Sequence, residues 1–227
     1  MICNYKDLTY TLARSGRKTM SIYVEPDGSV LVRAPKKVKE EQINAIVDLK
    51  RYWIYKSIAE FQELNKTKVT RQIINGEGFL FMGKSYRLKI NGNSNPALSL
   101  DQGYFILDEN KMDKARQCFI DFYREQGKEH ISQRVEYFQK KLGIESNAVR
   151  VMDLKTRWAS RGNKRLNFHW KIMLAPMSVI DYVIVHELAH YVKEDHSPAF
   201  WEIVESVMPN YREKKEWLRL NGANLDI

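Results

Sequence analysis

Two histidines four residues apart, the first followed directly by a glutamate, close an apolar run in residues 179–190. Val179, Ile180, Val183, Ile184 and Leu188 recur at helical spacing, and on a helix His186 and His190 leave one face about a turn apart. The pair can converge on one ion only if the helix is rigid and well buried, so this segment sets the fold around it. Ser178, followed three residues later by Asp181, predicts a capped helix start at Val179. Its end is expected at residues 193–195.

The chemistry of the motif points to zinc. Paired imidazoles are good zinc ligands, and Glu187 is placed to take a proton from a zinc-bound water. His196, ten residues after His186, lies past the expected helix end, before Ser197 and Pro198 open another helix. A turn there would bring it back as a third ligand and leave a fourth position open, as in catalytic zinc sites. The alternative third ligand is a carboxylate, Glu202 or Glu205, from the next helix. The spacing equals that of the metzincin pattern, but Lys193 stands at its glycine position, so that class is not assigned.

Ahead of the motif the pattern is mixed. Residues 9–13, 19–24 and 30–33 read as strands, with Glu25-Pro26-Asp27-Gly28 closing a hairpin between the last two. Residues 39–65 predict one long amphipathic helix, bent or broken. Residues 77–90 and 97–107 read as strands joined by the 91–96 loop, with a hairpin between them, and 111–142 as a second long helix in which Gly127 is the weak point. Strand-like segments at 149–154 and 166–174 precede the motif helix, and two further helices follow it. No internal repeat is visible. The expected architecture is α+β: a β-rich N-terminal domain with one long helix over 1–108, then 109–227 with a small sheet and the motif helix.

Charge and cysteine content bound the setting. The net charge is +9, and residues 150–171 concentrate seven basic residues against a single acid, Asp153. Such a segment suits an acidic substrate, a nucleotide or nucleic-acid phosphates, although a solvated face explains it as well. Two distant cysteines, Cys3 and Cys118, form no thiolate motif and fit a reducing cytoplasm. No signal sequence or membrane span is expected, and nothing speaks to oligomeric state.

Several segments together resemble a known family. Arg157-Trp158-Ala159-Ser160, residues 170–176, Val183 through His190, and His196-Ser197-Pro198-Ala199-Phe200-Trp201 are similar to the YgjP-like metallopeptidases, relatives of the SprT-like and minimal gluzincin proteins. The resemblance implies a cytoplasmic zinc protein with a compact zincin-like catalytic domain, His186, His190 and His196 as ligands and Glu187 as the base. The chain departs from the family in carrying Arg161 where members usually have Cys, Ala159 where they have Gly, and His169 where Asn is common.

Three residues are candidates for substrate contact. Arg157 suits an acidic group, His169 a developing oxyanion, and Tyr191, beside His190, a tetrahedral intermediate. Structural readings compete for each: a solvated strand face, a structural His and a packed phenol. Tyr182 is a similar candidate; Phe200 and Trp201 read as helix anchors. The leading function is hydrolysis of peptide or protein substrates. The alternatives are a nucleotide phosphoanhydride hydrolase using Arg157, Arg161, Lys164 and Arg165, a DNA-associated SprT-like protease, and a binding module with structural zinc.

Overall fold

Alternating apolar residues build the first sheet: Leu8, Tyr10 and Leu12 point inward from one strand and Val30, Val32 and Ala34 from another. A computed structural model describes residues 1–25, 27–65, 70–92, 95–145, 148–154, 157–162 and 165–227. The chain divides into two units, Met1–Lys68 and Val69–Ile227. In the first, β1 (Ile2–Tyr5), β2 (Leu8–Ser15), β3 (Ser21–Val24) and β4 (Val30–Pro35) form a sheet in the order β1-β2-β4-β3. The expected hairpin is present, with Val24 opposite Val30, although Pro26 of its turn lies outside the described residues. The helix expected over 39–65 is two, α1 (Glu40–Leu49) and α2 (Arg51–Asn65), broken at Lys50. Ile43, Val47 and Ile54 bury against the sheet.

The second unit repeats that strand plan. Here β5 (Gly78–Phe81), β6 (Lys84–Asn91), β7 (Leu98–Asp101) and β8 (Tyr104–Asp108) run in the order β5-β6-β8-β7. In both sheets the outer pairs are antiparallel and the central pair parallel. The expected hairpin across the 91–96 loop is therefore absent, because each strand-like segment folds back on itself. The turns are Met82-Gly83 and Gln102-Gly103, two-residue connections with positive φ at both positions, which match the twist of the strands they join. Asn93 and Ser94 lie outside the described residues.

The expected boundary at 108 falls inside the second unit. Strand β8 runs through a 3-10 turn (Glu109–Lys114) into α3 (Ala115–Leu142), and Phe105 of β8 packs edge-on against Phe119 of α3 at 5.2 Å between ring centroids. One apolar core holds both elements, so no division occurs there. Gly127 has a packing reason: a Cβ there would meet Met173 at 3.1 Å and Val151 at 3.2 Å.

A further sheet, the second of this unit, follows: β9 (Ala148–Met152), β10 (Ala159–Gly162) and β11 (Arg165–His169), ordered β10-β11-β9 with β10 at one edge. The strand expected over 166–174 ends at His169, and Trp170–Leu174 forms a 3-10 turn instead. Then come α4 (Met177–Ala189), α5 (Pro198–Val207) and α6 (Tyr211–Asn221). Among the described residues no helix is long and apolar enough to cross a membrane.

Helix α4 lies at the centre of this unit, packed against α3, α5, α6 and β10. It begins at Met177, and neither Ser178 nor any other side chain caps it. Its start is instead seated by the β5–β6 turn: Met82 and Gly83 donate backbone N–H bonds to Met173 and Leu174 at 2.7 and 3.2 Å, and a Cβ on Gly83 would lie 2.8 Å from Pro176 Cα.

Asp181, expected in a capping box, has a different partner. Arg134 of α3 reaches it with two parallel bonds, Nε to Oδ1 and Nη2 to Oδ2, each 2.7 Å. A bidentate pair of this kind fixes both distance and angle between the helices. Replacing Arg134 by Met strands a nearly buried carboxylate, but Arg134 is itself a third exposed, so the expected cost is about 1–3 kcal/mol rather than the full penalty of a buried pair. Urea denaturation measures it. The double variant Arg134→Met/Asp181→Leu should recover most of the loss, and an unchanged midpoint in the single variant would remove the clamp from the account.

Candidate metal centre

His186 and His190 leave α4 at its last turn with ring centroids 4.9 Å apart. The helix ends at Ala189, a turn earlier than expected, so His190 is its C-cap yet keeps a helical backbone. Past it the chain turns back: Lys193 donates its backbone N–H to Ala189 O, and Ser197 and Pro198 open α5 as expected. This return brings His196 against the motif, its ring 4.9 Å from that of His186 and 4.7 Å from that of His190. One nitrogen from each of the three lies within 4.8 Å of the others. Phe200, fully buried on the first turn of α5, backs all three rings at 4.6–5.0 Å.

The donor set fits a metal ion. His190 Nδ1 lies 3.2 Å from Lys193 O, which can only accept, so the ring carries its proton there and leaves Nε2 as a ligand. His186 and His196 turn their Nε2 atoms toward each other at 3.0 Å, while His186 Nδ1 is buried and without a hydrogen-bond partner among the described residues. Tetrahedral zinc with bonds of about 2.0–2.1 Å needs ligand nitrogens only slightly further apart than this closest pair. Neither Glu202 nor Glu205 joins the cluster, and Glu205 lies 3.7 Å from Arg212.

Burial sets the protonation states. It depresses His186 to about 3, helped by the neighbouring imidazoles, and lowers His196 in the same direction. Both are therefore neutral, the form that binds metal. Burial also pushes Glu187 up to about 7, against the opposing charge of Arg157 and a hydrogen bond from the Arg161 backbone.

These shifts predict how the metal-free protein responds to acid. His186 and His169 are depressed below the ordinary 6.5, to about 3 and about 4, so their stabilising contribution is complete above 6.5 and lost as pH falls through the lower values. Glu187, raised from 4.5, acts oppositely: its contribution is complete below 4.5 and lost as pH rises through about 7. Replacing His169 by Gln removes one acid-sensitive group. Between about pH 6.5 and about pH 4 the midpoint of chemical unfolding should consequently fall less steeply in the variant than in wild type. Parallel curves would exclude the contribution.

The other candidates divide. His169 caps the 3-10 turn, its Nδ1 accepting the Lys171 backbone N–H at 3.1 Å. Tyr191 packs under the Arg161 guanidinium, with its hydroxyl buried and without a hydrogen-bond partner among the described residues. Tyr182 is buried 6.0 Å from the His186 ring, its phenol pushed up to about 12. Arg157 is exposed, and its charge acts on Glu187. Of the basic segment, Lys155 and Lys164 lie outside the described residues, and Lys171 is paired with Asp226 at 2.8 Å.

Arg161 has a role that sequence reasoning did not reach. Its guanidinium donates to the His190 carbonyl at 2.6 Å and to Glu194 at 3.1 Å, satisfying a free carbonyl at the end of the motif helix. Arg161 therefore holds the turn that delivers His196. The Arg134–Asp181 clamp was also missed, since nothing local joins residues 47 positions apart.

Three imidazoles around one point, with the buried Glu187 carboxylate next in sequence to the first, in an α+β unit, have the composition of a metal-dependent hydrolase centre. Residues 18–221 match the family described as YgjP-like, metallopeptidase domain, and the chain belongs to that family. It is thus a metallopeptidase at family level. Among solved structures it is similar to the metallopeptidase zymogen abylysin of Pyrococcus abyssi, with 25% identity and a TM-score of 0.37 over 39% of this chain and 90% of that one. No curated protein matches the sequence.

Proposed function

We propose that this protein is a zinc-dependent peptidase in which His186, His190 and His196 hold the ion and Glu187 is the general base. The observation that carries this reading is the return of His196 from beyond α4 to the two helical histidines. Zinc bound there would act as a Lewis acid and lower the pKa of a coordinated water to about 7. Glu187, held near the same value by burial, is matched to take a proton from the attacking water and pass it to the leaving amine. Tyr191 has a free buried hydroxyl that can donate to charge developing on the carbonyl oxygen. Strand β10 supplies the edge on which an extended peptide can lie, close to Glu187, whose carboxylate accepts from the Arg161 backbone. We assign it to the cytoplasm, in keeping with two free thiols.

Nucleotide hydrolysis by the same centre is a weaker reading, because the Arg161 guanidinium is already engaged by His190 O and Glu194. The test is zinc affinity together with activity on a peptide library and a nucleotide panel. His196→Ala should lower zinc affinity at least about tenfold, while Glu205→Ala leaves it unchanged, and the library should be cut while nucleotides are not. The opposite affinity pattern would return the third ligand to a carboxylate; activity confined to nucleotides would end the peptidase assignment.

A further inference from the structure

Helix α6 presents a cation to this centre that no acid among the described residues answers. Tyr211, at its start, stacks on Trp201 of α5 at 5.2 Å and 13° between the ring planes. One turn later, Lys215 holds its ammonium 4.3 Å from the centroid of the same Trp201 ring. Trp201 in turn lies 5.8 Å from both His186 and His196. The neighbouring acids are committed elsewhere: Glu213 faces Lys214, Glu216 faces Arg219 and Glu205 faces Arg212. Among the described residues no carboxylate lies within ion-pair distance of Lys215.

An aromatic face steadies an ammonium without neutralising it, so the charge stays available to a ligand. We infer that Lys215 is a specificity-determining residue that pairs with a carboxylate of the substrate beside the scissile bond, and that the centre takes acidic peptides. The inference rests on the three-histidine cluster being the peptidase centre. An ammonium is a single point charge, suited to one carboxylate, whereas a polyphosphate is better held by forked guanidinium groups, and that of Arg161 is already engaged. The carboxylate can come from an Asp or Glu side chain or from a peptide C-terminus.

The two sources separate in a binding experiment on the zinc-loaded Glu187→Gln protein, which retains the site without turnover. Three probes are titrated by calorimetry: an acetylated, amidated alanine peptide with one Asp, its Asn counterpart, and the Asn peptide with a free C-terminal carboxylate. At least one carboxylate-bearing probe should bind about fivefold more tightly than the neutral one, the upper end for an exposed ion pair. The probe that does so names the source. Adding Lys215→Met, which keeps the stem over Trp201, should close the gap, and Lys215→Arg should preserve it. Equal binding of all three, no binding at millimolar concentration, or a gap that survives Lys215→Met would each overturn the inference. A Lys215-dependent gap in a protein that cuts no peptide as wild type would instead defeat the peptidase reading and leave the carboxylate subsite standing.

Discussion

Glu187→Gln is expected to lose between a hundredfold and ten-thousandfold in kcat, roughly the contribution of a positioned general base, while keeping its zinc. The amide has nearly the same shape and can still accept the Arg161 backbone N–H, but it cannot take up a proton. The stability of the metal-free protein supplies a second signature. Burial raises the Glu187 carboxyl to about 7, so ionising it above that pH destabilises the fold, and the neutral amide escapes this cost. The variant should therefore gain stability relative to wild type as pH rises through about 7, and the two curves should run parallel below 4.5. Activity retained with zinc bound would remove Glu187 from the chemistry; loss of zinc with activity would show that it shapes the site rather than acts in it.

The motif was legible because its geometry is local. A helix fixes the relation of His186 to His190, and Ser197-Pro198 marks the restart of the chain after His196, so spacing made His196 a candidate third ligand beside the carboxylates of Glu202 and Glu205. What spacing could not supply was the closing turn, which depends on Arg161 reaching from β10 to the His190 carbonyl. The start of α4 was misread for a similar reason. Ser178 and Asp181 have the right offset for a cap, but the start is seated by the turn at Gly83, and Asp181 is drawn to Arg134.

The strand segments show the same limit at larger scale. Residues 77–90 and 97–107 were correctly read as β-rich, but each contains a two-residue turn in which only one residue is glycine. Met82 and Gln102 take positive φ without announcing it. The four-strand plan shared by the two units was therefore invisible as a repeat, and the boundary was set where the long helix begins rather than after the first sheet and its two helices. β-Topology depends on which strands pair, and periodicity within a strand does not carry that information.

Phe200→Ala should damage the fold and the metal site together. The side chain is fully buried, and truncating a buried Phe costs about 3–5 kcal/mol through lost transfer energy and the cavity left behind. For a chain of this size that corresponds to a fall of about 6–20 °C in Tm. The cavity would open at the back of the site, since the ring touches the packing of His186, His190 and His196 together. Imidazoles that lose this support sample more rotamers, and zinc must then order them at its own expense. Zinc affinity should accordingly fall at least about tenfold even at temperatures where the variant is folded, comparable to losing a partner that orients a ligand. Phe200→Leu keeps much of the volume and should recover part of both losses. A destabilised variant with unchanged zinc affinity would show that α4 and the 190–197 turn hold the three rings without α5, and that the packing against Phe200 serves the fold alone.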